Sequence, residues 1–202
     1  GSHFGDHLAG GSGDDVILGS SGDDHIYGDS GINVDVITRI LDVPTTPLVL
    51  TAAGRNLVAG RDDINGQDGD DVIFGDHGII TQQPGTLRIL TTAFVHTIES
   101  TAFSNGANDV INGGQGNDVI LAGNGADQVD AGTGRNVVFG DSGLVDYVQA
   151  DGDRSDIDLI QSLAFGAGGS DLITSHAGDD ILIGGTAGDV LDASDGNNIV
   201  IG

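Results

Sequence analysis

Eleven aspartates recur at one position of a nine-residue period: Asp6, Asp15, Asp24, Asp62, Asp71, Asp109, Asp118, Asp127, Asp171, Asp180 and Asp189. Asn56, Asn136 and Asn198 take the same place in three further copies. Of the 31 acidic residues in this 202-residue chain, all but Glu99 are Asp. A solvated acidic surface would use Glu as readily, so the excess reports a need for the short carboxylate beside glycine in tight turns. If equivalent copies stack, their carboxylates stack too and repel by several kcal/mol where water is scarce, on the order of what Coulomb's law gives for close charges. A cation between successive turns removes that repulsion. Carboxylates and turn carbonyls make an all-oxygen cage, which suits Ca²⁺ better than Zn²⁺ or Cu²⁺. It also suits Ca²⁺ better than Mg²⁺, whose strict octahedron a stack of carbonyls rarely meets.

The period itself predicts the elements that hold these side chains. The copies read GSHFGDHLA, GGSGDDVIL and GSSGDDHIY from Gly1; TAAGRNLVA, a truncated GRDDIN and GQDGDDVIF from Thr51; SNGANDVIN, GGQGNDVIL, AGNGADQVD and AGTGRNVVF from Ser104; and GAGGSDLIT, SHAGDDILI, GGTAGDVLD and ASDGNNIVI from Gly166. Position 8 is always Ile, Leu or Val: Leu8, Ile17, Ile26, Val58, Ile64, Ile73, Ile111, Ile120, Val129, Val138, Ile173, Leu182, Leu191 and Val200. Position 4 is mostly glycine, which permits the positive φ of a sharp turn. Positions 7 to 9 therefore read as a short strand with position 8 inward, and positions 1 to 6 as a turn. Two nonapeptides make one coil of a parallel solenoid, with coils stacked about 4.8 Å apart. Asp109 then lies above Asp127, Asp171 above Asp189 and Asp6 above Asp24.

GGQGNDVIL (113–121), GGSGDDVIL (10–18) and SHAGDDILI (175–183) resemble the GGxGxDxUx nonapeptide of RTX (repeat-in-toxin) proteins. The resemblance covers roughly two-thirds of the chain. It implies an all-β fold, a right-handed parallel β-roll, here interrupted by β-hairpin inserts. It also implies that the eleven position-6 aspartates bridge calcium ions and that carbonyls at positions 1 to 4 complete the shell. The glycines carried over for that role are Gly11, Gly13, Gly22, Gly69, Gly114, Gly116, Gly123, Gly125, Gly178 and Gly185. The pattern departs at Asn56, Asn136 and Asn198, whose ions are expected to be weaker or absent, and at Phe4, Ala107 and Ala187, which replace the position-4 glycine. Column pairing gives on the order of six to ten Ca²⁺ ions. The position-5 residues Asp14, Asp23, Asp70 and Asp179 are expected to face solvent.

Three blocks end alike, at Tyr27-Gly28-Asp29-Ser30-Gly31, Phe74-Gly75-Asp76-His77-Gly78 and Phe139-Gly140-Asp141-Ser142-Gly143. Asp29, Asp76 and Asp141 are candidate caps for the last ion of each block, with Asp141 placed to compensate for Asn136. The organisation expected is roll 1–31, insert 32–50, roll 51–78, insert 79–103, roll 104–143, insert 144–165 and roll 166–202, in one continuous solenoid. The inserts carry β-rich runs separated by turn residues and read as hairpins. Positions 7 and 9 divide by parity: Val119, Leu121, Val137, Phe139, Ile181, Ile183, Ile199 and Ile201 on one sheet, against Val110, Asn112, Gln128, Asp130, Thr174 and Asp192 on the other. One sheet is thus apolar on both faces, a surface that the inserts or neighbouring modules must cover.

Composition bounds the function. Net charge is −25, with six Arg and no Lys, which opposes nucleic-acid binding and docking on an anionic membrane. No Cys is present for disulfides or a Cys-based zinc site, and no apolar run approaches a membrane span. The histidines are scattered, and His96-Thr97-Ile98-Glu99 lacks the second His of a zinc-protease helix. No catalytic constellation is read, and the chain is not expected to be an enzyme. Gly1-Ser2-His3 looks like the remnant of a cleaved tag, and the abrupt end at Ile201-Gly202 is read as that of a monomeric fragment of a longer protein. The function expected is a calcium-binding structural module of a large secreted bacterial protein of surface, adhesin or filament type. It would fold on meeting calcium after type I secretion, and its partners would be calcium and neighbouring modules. The alternative is an RTX appendage of a secreted protease, lipase, epimerase or toxin.

Overall fold

The computed structural model describes residues 1–35 (32–35 by backbone alone), 58–82, 94–151, 153 and 155–202. Two parallel sheets form the roll. The first has seven strands, in the order β1 (His7–Ala9), β3 (His25–Tyr27), β6 (Val72–Phe74), β10 (Val119–Leu121), β12 (Val137–Phe139), β16 (Ile181–Ile183) and β18 (Ile199–Ile201). The second has six, in the order β17 (Val190–Asp192), β15 (Leu172–Thr174), β11 (Gln128–Asp130), β9 (Val110–Gln115), β5 (Asp63–Asp68) and β2 (Val16–Ser21). Each strand carries positions 7 to 9 of a nonapeptide, and partners align position for position, as in Val119↔Val137, Ile120↔Val138 and Leu121↔Phe139. Among the described residues there is no helix, and so none long and apolar enough to cross a membrane.

Between the sheets lies the first core, built from position 8: Ile17, Ile26, Ile64, Ile73, Ile111, Ile120, Val129, Val138, Ile173 and Leu182, with Leu8 and Leu191 partly buried beside them. Each such aliphatic burial contributes about 1.5–3 kcal/mol. Small residues at position 1, Ala122, Ala131 and Ala193, join this core. Val58 departs from the expectation: it lies outside any strand and is 64% exposed.

The reason is where the inserts enter. Gly60 stacks on Gly13 and Gly169 on Gly125, which makes them position-4 residues, while Gly106 stacks on Asn124 at position 3. Positions 1 and 2 of those same nonapeptides are Gly28-Asp29, Gly75-Asp76 and Gly140-Asp141. Each insert therefore splits a nonapeptide between positions 2 and 3 and occupies 30–58, 77–105 or 142–167. GRDDIN is not truncated; its positions 1 and 2, Gly28-Asp29, stand before the insert and its position 3, Ala59, just after it. Residues 51–57 lie outside the described residues, so the expected copy TAAGRNLVA is not a coil of the roll as far as it is described. Gly1 and His3, set aside above as a tag remnant, stack on the next coil: His3 Nδ1 lies 2.8 Å from Ser21 Oγ.

The inserts build a third sheet, in the order β14 (Leu159–Ser162), β13 (Gly143–Asp146), β8 (Val95–Ser100), β7 (His77–Gln82) and β4 (Ser30–Asp35). β7 with β8 and β13 with β14 are antiparallel pairs within one insert, and β8 with β13 joins the second insert to the third. β4 pairs with β7 in parallel, and the rest of the first insert, where its hairpin was expected, lies outside the described residues. The strands start inside the Asp-x-Gly turns, at Ser30, His77 and Gly143, earlier than the expected insert starts.

This third sheet covers the outer face of the seven-stranded one. Ile80, Ile98 and Val145 pack with Tyr27, Val72, Phe74, Val119, Leu121, Val137, Phe139 and Ile183 in a second buried cluster. Tyr27 and Phe74 stack with ring centroids 5.0 Å apart. The outer face of the six-stranded sheet is mixed: Gln128 is exposed beside buried Val129, and Val16, Leu18, Leu172 and Val190 are exposed as well.

Candidate metal columns

The turns bring the position-6 side chains into two columns. Along the seven-stranded sheet run Asp6, Asp24, Asp71, Asp118, Asn136, Asp180 and Asn198. Along the six-stranded sheet run Asp15, Asp62, Asp109, Asp127, Asp171 and Asp189. Neighbours are 18 residues apart within a block and 47 or 44 apart across an insert, yet the contact is the same. In every case the backbone N–H of one residue donates to the side-chain Oδ1 of its neighbour one coil on, at 2.7–3.0 Å. An aspartate side chain is short enough to bridge one coil spacing in this way, and a glutamate would overshoot it. Asn56 lies outside the described residues.

The second oxygen is different. Oδ2 of Asp15, Asp24, Asp62, Asp71, Asp109, Asp118, Asp127, Asp171 and Asp180 is buried without a hydrogen-bond partner. Each orphaned polar atom costs about 1–3 kcal/mol, and more when charged. Nine together rival the roughly 5–15 kcal/mol by which a whole domain is stable. Beside seven of these nine Oδ2 atoms lies a backbone oxygen. A Cβ built on Gly113 would sit 2.6 Å from both Asp118 Oδ2 and Ala131 O. The same cradle joins Asp15 Oδ2 with Gly28 O at Gly10, Asp24 Oδ2 with Gly66 O at Gly19, and Asp62 Oδ2 with Gly75 O at Gly28. It joins Asp71 Oδ2 with Gly113 O at Gly66, Asp109 Oδ2 with Ala122 O at Gly75, and Asp171 Oδ2 with Gly184 O at Gly140. A carboxylate oxygen and the position-1 carbonyl of the next coil thus converge, in a donor set made only of oxygen. Among the described residues no three His, Asp or Glu side chains meet at one point, so carbonyls supply much of any shell.

Electrostatics agree with a missing positive partner. Burial pushes the Asp71, Asp109, Asp118 and Asp171 carboxyls up to about 7, Asp62 to about 6 and Asp127 to about 8. The backbone hydrogen bond at each Oδ1 opposes this, and the next aspartate in the column adds to it. Among the described residues no Arg neutralises a carboxylate by direct contact; the ion pairs are His77–Asp29 at 3.8 Å and His176–Asp130 at 3.0 Å.

The glycines expected to ligate at positions 2 and 4 have varied surroundings. Gly114 O accepts the Thr133 N–H, and Gly123 and Gly185 make room for Asp76 and Asp141. Gly11 has φ +110° and Gly13 φ +100°, each with open space beside it. Gly22, Gly69, Gly116 and Gly178 stack at position 4 in one row, and Gly125 stacks on Ala107 in the other. At Gly116, φ is +139° and a Cβ would fall on the Gly69 carbonyl, so glycine is required twice over. Ala187 occupies position 4 with φ +77° all the same.

Asp29, Asp76 and Asp141 are buried and tie the chain across each insert. Asp29 Oδ1 accepts the Gly60 N–H, Asp76 Oδ1 the Ala107 N–H and Asp141 Oδ1 the Gly169 N–H, all at 3.0–3.1 Å. Asp76 Oδ2 also accepts from Asn124 N–H, and Asp141 Oδ2 from the Thr186 N–H and hydroxyl. Burial pushes Asp29 up to about 8 and Asp76 to about 9. Asp141 faces Asp127, Asp171 and Asp189 of the second column, so it does not stand in for Asn136 as expected. The common Gly-Asp before each insert was the visible signal of this clamp.

Two further roles escaped the sequence reading. The exposed position-5 residues form a surface ladder, with Asp23 Oδ1 accepting Asp70 N–H and Asp70 Oδ1 accepting Asn117 N–H. His25 and His77 are 4% and 3% exposed. His77 Nδ1 lies 2.9 Å from Ser30 Oγ and its Nε2 2.9 Å from Asn105 Nδ2, which links both ends of the second insert to the start of the first.

No curated protein matches this chain. The RTX calcium-binding nonapeptide repeat matches it in four copies, at 1–35, 58–78, 103–143 and 165–200. Those segments hold both aspartate columns and the strands that carry them, and the chain belongs to the RTX calcium-binding nonapeptide-repeat family.

Proposed function

We propose that this chain is a calcium-folded structural module of a large exported bacterial protein, of surface, adhesin or filament type. The ligands proposed are Oδ2 of the position-6 aspartates and carbonyls of the turns, chiefly those at position 1. The observation that carries the reading is the run of nine buried, unpartnered Oδ2 atoms, seven of them beside a carbonyl, continuing across the inserts. Calcium supplies the positive charge that these oxygens lack, and the shared ions lock coil to coil. Members of this family typically leave the cell by type I secretion, where a low-calcium cytosol keeps such a chain unfolded, and millimolar calcium outside then folds it. The inserts support a structural module over an enzyme appendage. They pair with one another and pack against the roll, burying Ile80, Ile98 and Val145 inside the chain.

Isothermal titration calorimetry tests the ligand assignment. Calcium should bind at several sites with release of protons, and magnesium should give little heat. Equal binding of the two cations, or none of calcium, contradicts it.

A further inference from the structure

Two rungs of the first column do not fit a cation. Asn136 and Asn198 keep the backbone role of the aspartates: Asn136 Oδ1 accepts the Asp118 N–H at 2.9 Å, and Asn198 Oδ1 the Asp180 N–H at 2.8 Å. The second atom differs. Where an aspartate presents a bare oxygen, asparagine presents an NH₂ group. Asn198 Nδ2 donates to Ala193 O, the position-1 carbonyl of its own repeat, at 2.9 Å. Asn136 is 1% exposed, and its Nδ2 has no hydrogen-bond partner.

Position 1 changes in step. Asp6, Asp24, Asp71 and Asp118 follow Gly1, Gly19, Gly66 and Gly113, where a Cβ would crowd the Oδ2. Asn136 and Asn198 follow Ala131 and Ala193, both packed in the first core. Ala122 before Asp127 and Ser175 before Asp180 show that a Cβ alone does not displace the carboxylate. The coupling of alanine with an amide marks these two rungs.

We propose that Asn136 and Asn198 are metal-free rungs, in which the amide N–H takes the place of the cation. An N–H donor satisfies a carbonyl oxygen by hydrogen bonding, and its positive end repels Ca²⁺. The first column is then broken between Asp118 and Asp180, and Asp180 stands alone between two amides. The second column is carboxylate throughout, from Asp15 to Asp189. Calcium loads the two sides of the roll unequally. This rests on the calcium reading above.

Native mass spectrometry in saturating calcium counts the ions. The double variant A131G/N136D should carry one more ion than the parent chain. The reciprocal G66A/D71N, which copies a rung already present in this chain, should carry one fewer and keep its far-UV circular dichroism. Asn136→Asp alone, which leaves Ala131 packed, should also gain the ion. If G66A/D71N loses an ion and neither Asn136 variant gains one, the proposal is overturned. A parent chain that takes up no calcium overturns the proposed function itself.

Discussion

Inside the columns the two oxygens of a position-6 aspartate differ: in Asp24, Asp62, Asp71, Asp109, Asp118, Asp127, Asp171 and Asp180, Oδ1 accepts a backbone N–H of the neighbouring coil and Oδ2 is buried without a hydrogen-bond partner. The glycines matter for the space they leave. Gly116→Ala adds a Cβ at φ +139° onto the Gly69 carbonyl, and should cost about 3 kcal/mol or more in calcium-bound thermal stability, since strained backbone alone costs on the order of 1–3 kcal/mol. The carboxyls also fix a pH response with a definite sign. With calcium chelated, Asp62, Asp71, Asp109, Asp118, Asp127 and Asp171 titrate at about 6–8 in the fold, against about 3.9 unfolded. The folded chain then holds more protons than the unfolded one across that window. Its stability is full below about pH 4 and is lost as pH rises through 6–8. Urea denaturation in chelator should show an unfolding transition at pH 5 and none at pH 8. Calcium reverses the sign, because it binds the ionised form: the calcium-bound midpoint should fall as pH falls from 8 to 5.

At the scale of elements, the inserts are held in two ways, by the clamp aspartates at their base and by the second core above. Asp141→Ala removes the acceptor for Gly169 N–H, Thr186 N–H and the Thr186 hydroxyl, and should cost about 1–3 kcal/mol per orphaned group. Hydrogen exchange should speed up first in β13 and β14. Phe139→Ala empties part of the second core and should lower stability by about 3–5 kcal/mol while leaving the position-8 core in place. The strands and both columns were legible because the nine-residue period fixes them. The apolar face awaiting a cover was also legible, from Val119, Leu121, Val137 and Phe139 lying on one sheet. The exact break was not. Gly28-Asp29 and Ala59-Gly60 belong to one nonapeptide, but stand on either side of an insert, so local pattern matching assigned TAAGRNLVA to the roll. Position-1 carbonyls were hard to single out because a backbone oxygen has no residue signature.

For the whole molecule, charge and topology combine. The chain carries net −25 with no Lys, and a large share of that charge is lined up in two buried columns. Coil-to-coil contacts span 18 residues within a block and 44 or 47 across an insert, so the roll does not close on short-range contacts. Self-repulsion expands such a chain, and ions bound between coils supply the folding free energy. The account therefore stands on calcium dependence of the fold at neutral pH. Far-UV circular dichroism of the chain in excess chelator, followed by titration with calcium and separately with magnesium, measures it directly. The prediction is an unfolded spectrum in chelator at pH 7.5–8, a cooperative gain of β-sheet as calcium is added, and no such gain with magnesium. A chain fully folded in chelator at that pH, with a spectrum unmoved by calcium, would contradict the account.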